Sequence, residues 1–211
     1  MTSSLPAGSP PTPDSTPTLA EVLQYFVGAA ELMGGKTEGL RRLDLTADGF
    51  WSSFFAMIVA APPVALSWIE FESSERAGQL TTAGPALVYA AHALADALSW
   101  LLPVLILMSV ARPIGFSRKI VPLVVATNWG GALLAWVFAP YWLILYATGP
   151  NEVMTGLGYV VGIASIVLTV RLAATALGRD LPAGLVIVML MIVTSLLSYG
   201  AVMDLTGVTL I

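Results

Sequence analysis

The side chains whose types and spacing could do chemistry are His92 and Asp96, one helical turn apart. Tyr89, His92, Asp96 and Ser99 fall at i, i+3, i+7 and i+10, a spacing that puts them on one stripe of a helix. Two chemistries suit such a stripe. Histidine titrates near neutral pH and burial raises an aspartate towards the same range, so the pair could relay protons. Alternatively, the two side chains form a buried polar junction that fixes helix register, with Asp96 neutral or paired to His92. Asn128 is the natural third member under either reading, because it falls at a similar depth in a neighbouring apolar block. The stripe is expected to face that block.

Several chemistries are excluded by residue counts. His92 is the one histidine and there is no cysteine. Multi-histidine metal sites within one chain, thiolate ligands, thiol nucleophiles and disulfides are all ruled out. No zinc-protease helix motif, phosphate-binding glycine loop or nucleophile elbow occurs, and Asp96 is the only acid well inside an apolar block. The expectation is a protein that is not an enzyme and uses no cofactor or metal.

The elements that must hold these residues are membrane spans. The chain has 211 residues, 57% of them apolar and 10% charged. A soluble domain averages about 45–50% apolar and about 25% charged. Five apolar blocks occur, at about 49–71, 85–111, 120–147, 153–177 and 182–207. Each is long enough to cross a hydrocarbon core roughly 30 Å thick. Asp96 sits about eleven residues into the second block, roughly 16 Å deep at 1.5 Å per residue. An unpaired Asp there costs about 2.5–3.5 kcal/mol on insertion scales.

Ahead of the spans, residues 1–17 are rich in Pro, Ser and Thr and carry no basic residue. They read as a disordered tail rather than a cleavable leader. Residues 18–48 hold an amphipathic helix and a linker. Thr18 and Glu21 make a capping box, and Leu19, Val22, Leu23, Phe26, Ala30 and Met33 share one face. Gly34 and Gly35 stop this helix over 19–33. Its polar face has no Lys or Arg, so it is expected to dock on the protein or lie shallowly at the interface, with a partner-binding role as the alternative. Asp48 is placed to cap the first span.

Within the spans, Pro62 and Pro63 interrupt the first block near its middle and free backbone carbonyls. That predicts a kink, or less simply a broken helix that exposes backbone to a substrate. Gly131-xxx-Ala135 and Gly158-xxx-Gly162 are small-residue packing patterns. The third block is long for one span and is expected to tilt or to extend beyond the bilayer.

Charge sets the expected orientation. Lys36, Arg41, Arg42, Arg112, Arg118, Lys119, Arg171 and Arg179 fall on the side of the N-terminus, and Arg76 alone on the other. The positive-inside bias then puts the N-terminus in the cytoplasm and the C-terminus outside. The outer loop over 70–84 carries Glu70, Glu72 and Glu75. Trp51, Trp68, Tyr141, Trp142 and Tyr146 fall near block ends, where aromatic rings favour the headgroup level. The net charge of −4 argues against a nucleic-acid partner.

The runs GLRRLDLTADGFWSSFFAMIVAAPP, DALSWLLPVLILMSVARPIG and KIVPLVVATNWGGAL resemble a group of small, uncharacterised inner-membrane proteins typical of alphaproteobacteria. The resemblance covers about 38–135 and implies five spans in a Gram-negative inner membrane, with no activity attached. The architecture is also similar to that of Yip-domain membrane proteins. The fold expected is all-α: a tail at 1–17, an amphipathic helix and linker at 18–48, and a five-helix transmembrane domain at 49–211. The function expected is interaction in the bilayer with another membrane protein or a second copy, in a scaffold, assembly or organising role. The alternative is a small transporter or proton-coupled carrier working through His92, Asp96 and Asn128.

Overall fold

The computed structural model describes residues 16–74, 83–113 and 115–210. Most of the expected tail, together with Glu75 and Arg76, lies outside them. The described chain is all-α, with helices α1 Leu19–Met33, α2 Ala47–Ser52, α3 Phe55–Ser74, α4 Pro85–Val110, α5 Ser117–Thr148, α6 Glu152–Ala176 and α7 Leu181–Thr206. Five spans are long and apolar enough to cross a membrane: α2 with α3, then α4, α5, α6 and α7.

Helix α1 begins and ends as its sequence dictates. The Thr18 hydroxyl accepts from the Glu21 N–H, and the Glu21 carboxylate accepts from the Thr18 backbone. Gly35, at φ 83°, turns the chain out of the helix. The helix docks on the bundle through Val22, Ala29, Leu32 and Met33, with Tyr25 and Phe26 packed around Trp129 of α5. This stripe is rotated from the expected one, for Leu19 and Leu23 are exposed. Trp129 is the cause: burying its indole under two aromatic rings outweighs burying two leucines. Arg171 of α6 fastens the far end, donating from Nε to the Met33 carbonyl at 2.7 Å. A guanidinium suits that place, because the last carbonyls of a helix carry partial negative charge.

After a 3-10 helix over Thr37–Arg42, Thr46 caps α2 by accepting from the Gly49 N–H. Asp48 was expected in that role. It falls instead inside the first turn of α2, and Asp44 holds the Thr46 hydroxyl in place at 2.7 Å.

The first span is interrupted, but not where the prolines are. Helix α3 runs unbroken through Pro62 and Pro63, and the discontinuity lies at Ser53–Phe54. Pro63 has no N–H for the Val59 carbonyl, and the Trp136 indole of α5 supplies one at 2.9 Å. A neighbouring helix thus satisfies the freed group, as a bilayer demands.

Helix α5 has 32 residues, about 48 Å at 1.5 Å per residue, and so exceeds the hydrocarbon core. It is the hub of the bundle, packing on α3, on α6 and on α1. Helix α4 packs chiefly on α7 and meets α3 and α5 at few points. Two pairs result, α3 with α5 and α4 with α7, joined through α6 and separated by a seam. The close crossings are glycine-based. A Cβ at Gly130 would stand 2.4 Å from Leu172 Cδ1, and one at Gly184 would stand 2.8 Å from the Ala174 nitrogen. Gly162 faces open space, and Gly158 meets only the Tyr141 side chain, so Gly158-xxx-Gly162 is not a helix-crossing motif here.

Candidate functional site

The seam between the two helix pairs is bordered by two clusters of polar residues of the membrane domain. Asp96 of α4 accepts at Oδ2 from Trp68 Nε1 of α3 at 2.8 Å, and at Oδ1 from the Tyr199 hydroxyl of α7 at 2.5 Å. The expected pairing with His92 or Asn128 does not occur. The reason is the packing of α4, whose Asp96 face turns to α7 and the C-terminal half of α3 rather than to α5.

His92 is buried, with Nε2 donating to Glu72 Oε1 at 2.8 Å. Glu72 was expected in a loop. Helix α3 continues to Ser74, and this carries Glu72 into helical register opposite α4. The imidazole stacks on Trp68, with centroids 5.8 Å apart and planes 18° apart, and Phe71 packs edge-on against it. Trp68 therefore links the two polar residues of the stripe: its face covers His92 and its N–H serves Asp96. Ser99 donates to the Ala95 carbonyl within its own helix, and Tyr89 is exposed. Neither joins the cluster.

Asn128 belongs to a second cluster. It is 1% exposed, and its Oδ1 accepts from Trp100 Nε1 of α4 at 2.7 Å. Its Nδ2 donates to Ser53 Oγ at 2.9 Å, and the Ser53 hydroxyl donates in turn to the Phe50 carbonyl at 2.7 Å. The break between α2 and α3 is thus pinned to α5. A small hydroxyl at the break satisfies a carbonyl that the interrupted helix leaves open.

Both clusters border one cavity of about 450 Å³ between α3, α4, α5 and α7. Asp96, Trp68 and Tyr199 contribute to its wall, as do Trp100, Asn128 and Thr127, and the rest is mainly Ala, Val, Leu, Ile and Met. Among the described residues no Lys or Arg forms an ion pair with Asp96, and no group of three or more His, Asp or Glu side chains could hold a metal ion. The site can therefore solvate an apolar body and offer it one carboxyl and one amide.

Trp68, Trp100, Tyr199, Ser53 and Glu72 are the members that sequence reasoning missed. Trp68 reads as an interface anchor from its place near a block end, and nothing in its spacing reveals that it turns inward. Tyr199 offered one signal: a phenol inside an apolar block needs an acceptor, and Asp96 is the one acid deep enough to provide it.

Fold and site together define an α-helical, multi-pass membrane protein with a polar seam in its interior. Compared with protein-family models, curated proteins and solved structures, the chain matches none.

Proposed function

We propose that this protein is a membrane carrier that takes a small, mostly apolar molecule into the cavity between α3, α4, α5 and α7. The observation that carries this reading is the placement of Asp96 on the wall of a cavity of about 450 Å³. Sites for small molecules are concave, largely apolar and furnished with few polar groups, and volumes of about 300–1,000 Å³ are usual for them. An intramembrane acid facing such a cavity marks a binding or translocation path. Binding without catalysis suits the remaining groups, because His92 is engaged by Glu72 and Ser99 by its own helix. An organising role through another membrane protein rests on no comparable feature. The outward face of α6, with Tyr159, Val160 and Ile163, is apolar as lipid itself requires.

The membrane we assign is a bacterial inner membrane, with the N-terminus cytoplasmic and the C-terminus periplasmic. The distribution of basic residues supports this, as does the resemblance over 38–135. A periplasm-active reporter fused after Ile211 should be active, and silence beside an active control would overturn the orientation.

The carrier reading is tested by filling the cavity. Ala97 lines it. The parent should bind small apolar probes saturably in lipid nanodiscs, and the variant Ala97→Phe, checked for folding by size exclusion and circular dichroism, should lose that binding. Equal binding by parent and variant would reject the cavity as the site.

A further inference from the structure

Resting on the cavity reading above, we infer that the ligand is an organic monocation with an apolar body, such as a hydrophobic amine or quaternary ammonium, held by Asp96 and the aromatic rings beside it.

The argument starts from what Asp96 lacks. Its two hydrogen bonds come from neutral donors, an indole and a phenol. A carboxylate offers about four lone-pair positions, so two remain after Trp68 and Tyr199 are served. No basic side chain among the described residues pairs with it. Trp68 can only donate, and it holds Oδ2 as an acceptor. An acceptor-rich, cation-free carboxyl on the wall of an apolar space lacks one thing, a positive charge brought by the occupant.

The neighbouring walls fit the same occupant. Trp100 and Tyr199 line the cavity with Asp96, as does Trp68, one face of which covers His92. Aromatic faces attract organic cations, and more strongly where water is excluded. The remaining lining is aliphatic, which suits hydrocarbon around the charge. An inorganic cation fits poorly: calcium takes 6–8 oxygen ligands, whereas this wall presents one carboxyl, one amide and scattered hydroxyls. An anion would face the Asp96 carboxylate with no Lys or Arg to offset it.

The test uses two probes of one shape, benzyltrimethylammonium and its neutral carbon isostere neopentylbenzene. Binding of each, in radiolabelled form, is measured to the full chain in zwitterionic lipid nanodiscs, with empty discs subtracted. The parent should bind the cation at least about tenfold more tightly than the isostere, and Asp96→Asn should abolish that preference. Ala97→Phe should block both probes. Equal affinity for the two probes, with both blocked by Ala97→Phe, would overturn the cation assignment while leaving the cavity reading in place. Failure of the parent to bind either probe saturably would overturn both. Retention of the preference in folded Asp96→Asn would also overturn the assignment. Where Asp96→Asn does not fold, the parent's discrimination between the two probes decides.

Discussion

The Trp136 indole donates to the Val59 carbonyl at 2.9 Å, and that carbonyl is open because the residue four positions on, Pro63, has no N–H. The bond crosses from α5 to α3, so a local backbone defect becomes an interhelical contact. Trp136→Phe should lower stability by about 0.5–1.5 kcal/mol, the usual net worth of one hydrogen bond. In a Pro63→Ala background the helix can satisfy Val59 itself, and the same substitution should then cost much less. Thermal unfolding of the four proteins of this cycle in mild detergent reads the coupling. Strict additivity would contradict it.

Asn128 holds Trp100 and Ser53 at once. Asn128→Leu keeps the branched shape and strands the Trp100 N–H, which should cost about 1–3 kcal/mol. Adding Trp100→Phe removes the stranded donor and should recover part of the loss. A double variant less stable than Asn128→Leu would show that the indole is held by packing rather than by the amide.

Two glycines separate a real crossing from an apparent motif. At Gly184 an added methyl would meet the Ala174 nitrogen and the Val170 carbonyl, both backbone, at 2.8 and 2.9 Å. Gly184→Ala should destabilise the protein by about 1–3 kcal/mol through overpacking. Gly162 has nothing within 4 Å of its Cβ direction, and Gly162→Ala should stay within about 0.5 kcal/mol of the parent. The melting temperatures of the two variants make the comparison.

The capping box of α1 carries a pH dependence. Hydrogen bonds from the Thr18 hydroxyl, and then from the Thr18 backbone, hold the Glu21 carboxyl below its ordinary value. A depressed carboxyl pKa adds stability above the ordinary glutamate range, and that stability is lost as the pH falls through the folded-state value. Protection factors of amides at the start of α1, corrected for the intrinsic pH dependence of exchange, should therefore fall on acidification below the ordinary glutamate range. Removing the hydroxyl partner with Thr18→Ala should flatten this profile.

How far the chain could be read beforehand depended on the range of the signal. Local signals were reliable. The Thr18 cap, the Gly34-Gly35 stop and the five apolar blocks follow from neighbouring residues, and the observed helices begin and end within a few positions of them. Asp96 was also legible as a special position, because an acid so deep in hydrocarbon needs partners. The partners themselves were not legible. Trp68 and Tyr199 lie 28 and 103 residues from Asp96, and an indole near a block end has the same local pattern whether it points to headgroups or inward. The amphipathic stripe of α1 was misjudged for a similar reason, since its rotation is set by Trp129, about a hundred positions further on. The broken-helix alternative for the proline pair fails, because α3 runs on through Pro62 and Pro63. The break came instead at Ser53–Phe54, where Asn128 reaches across to Ser53.

The pairing of the spans, α3 with α5 and α4 with α7, also sets a timetable for biogenesis. In neither pair do the partners follow each other directly in the chain, so neither closes when its first member enters the bilayer. Asp96 leaves the ribosome 103 residues before Tyr199. At roughly 5–20 residues per second, α4 waits about 5–20 s for its second donor. During that interval Trp68, already synthesised, is the one of its two folded-state donors that is present. The order of emergence makes the first indole a chaperone in cis for the most costly residue in the membrane.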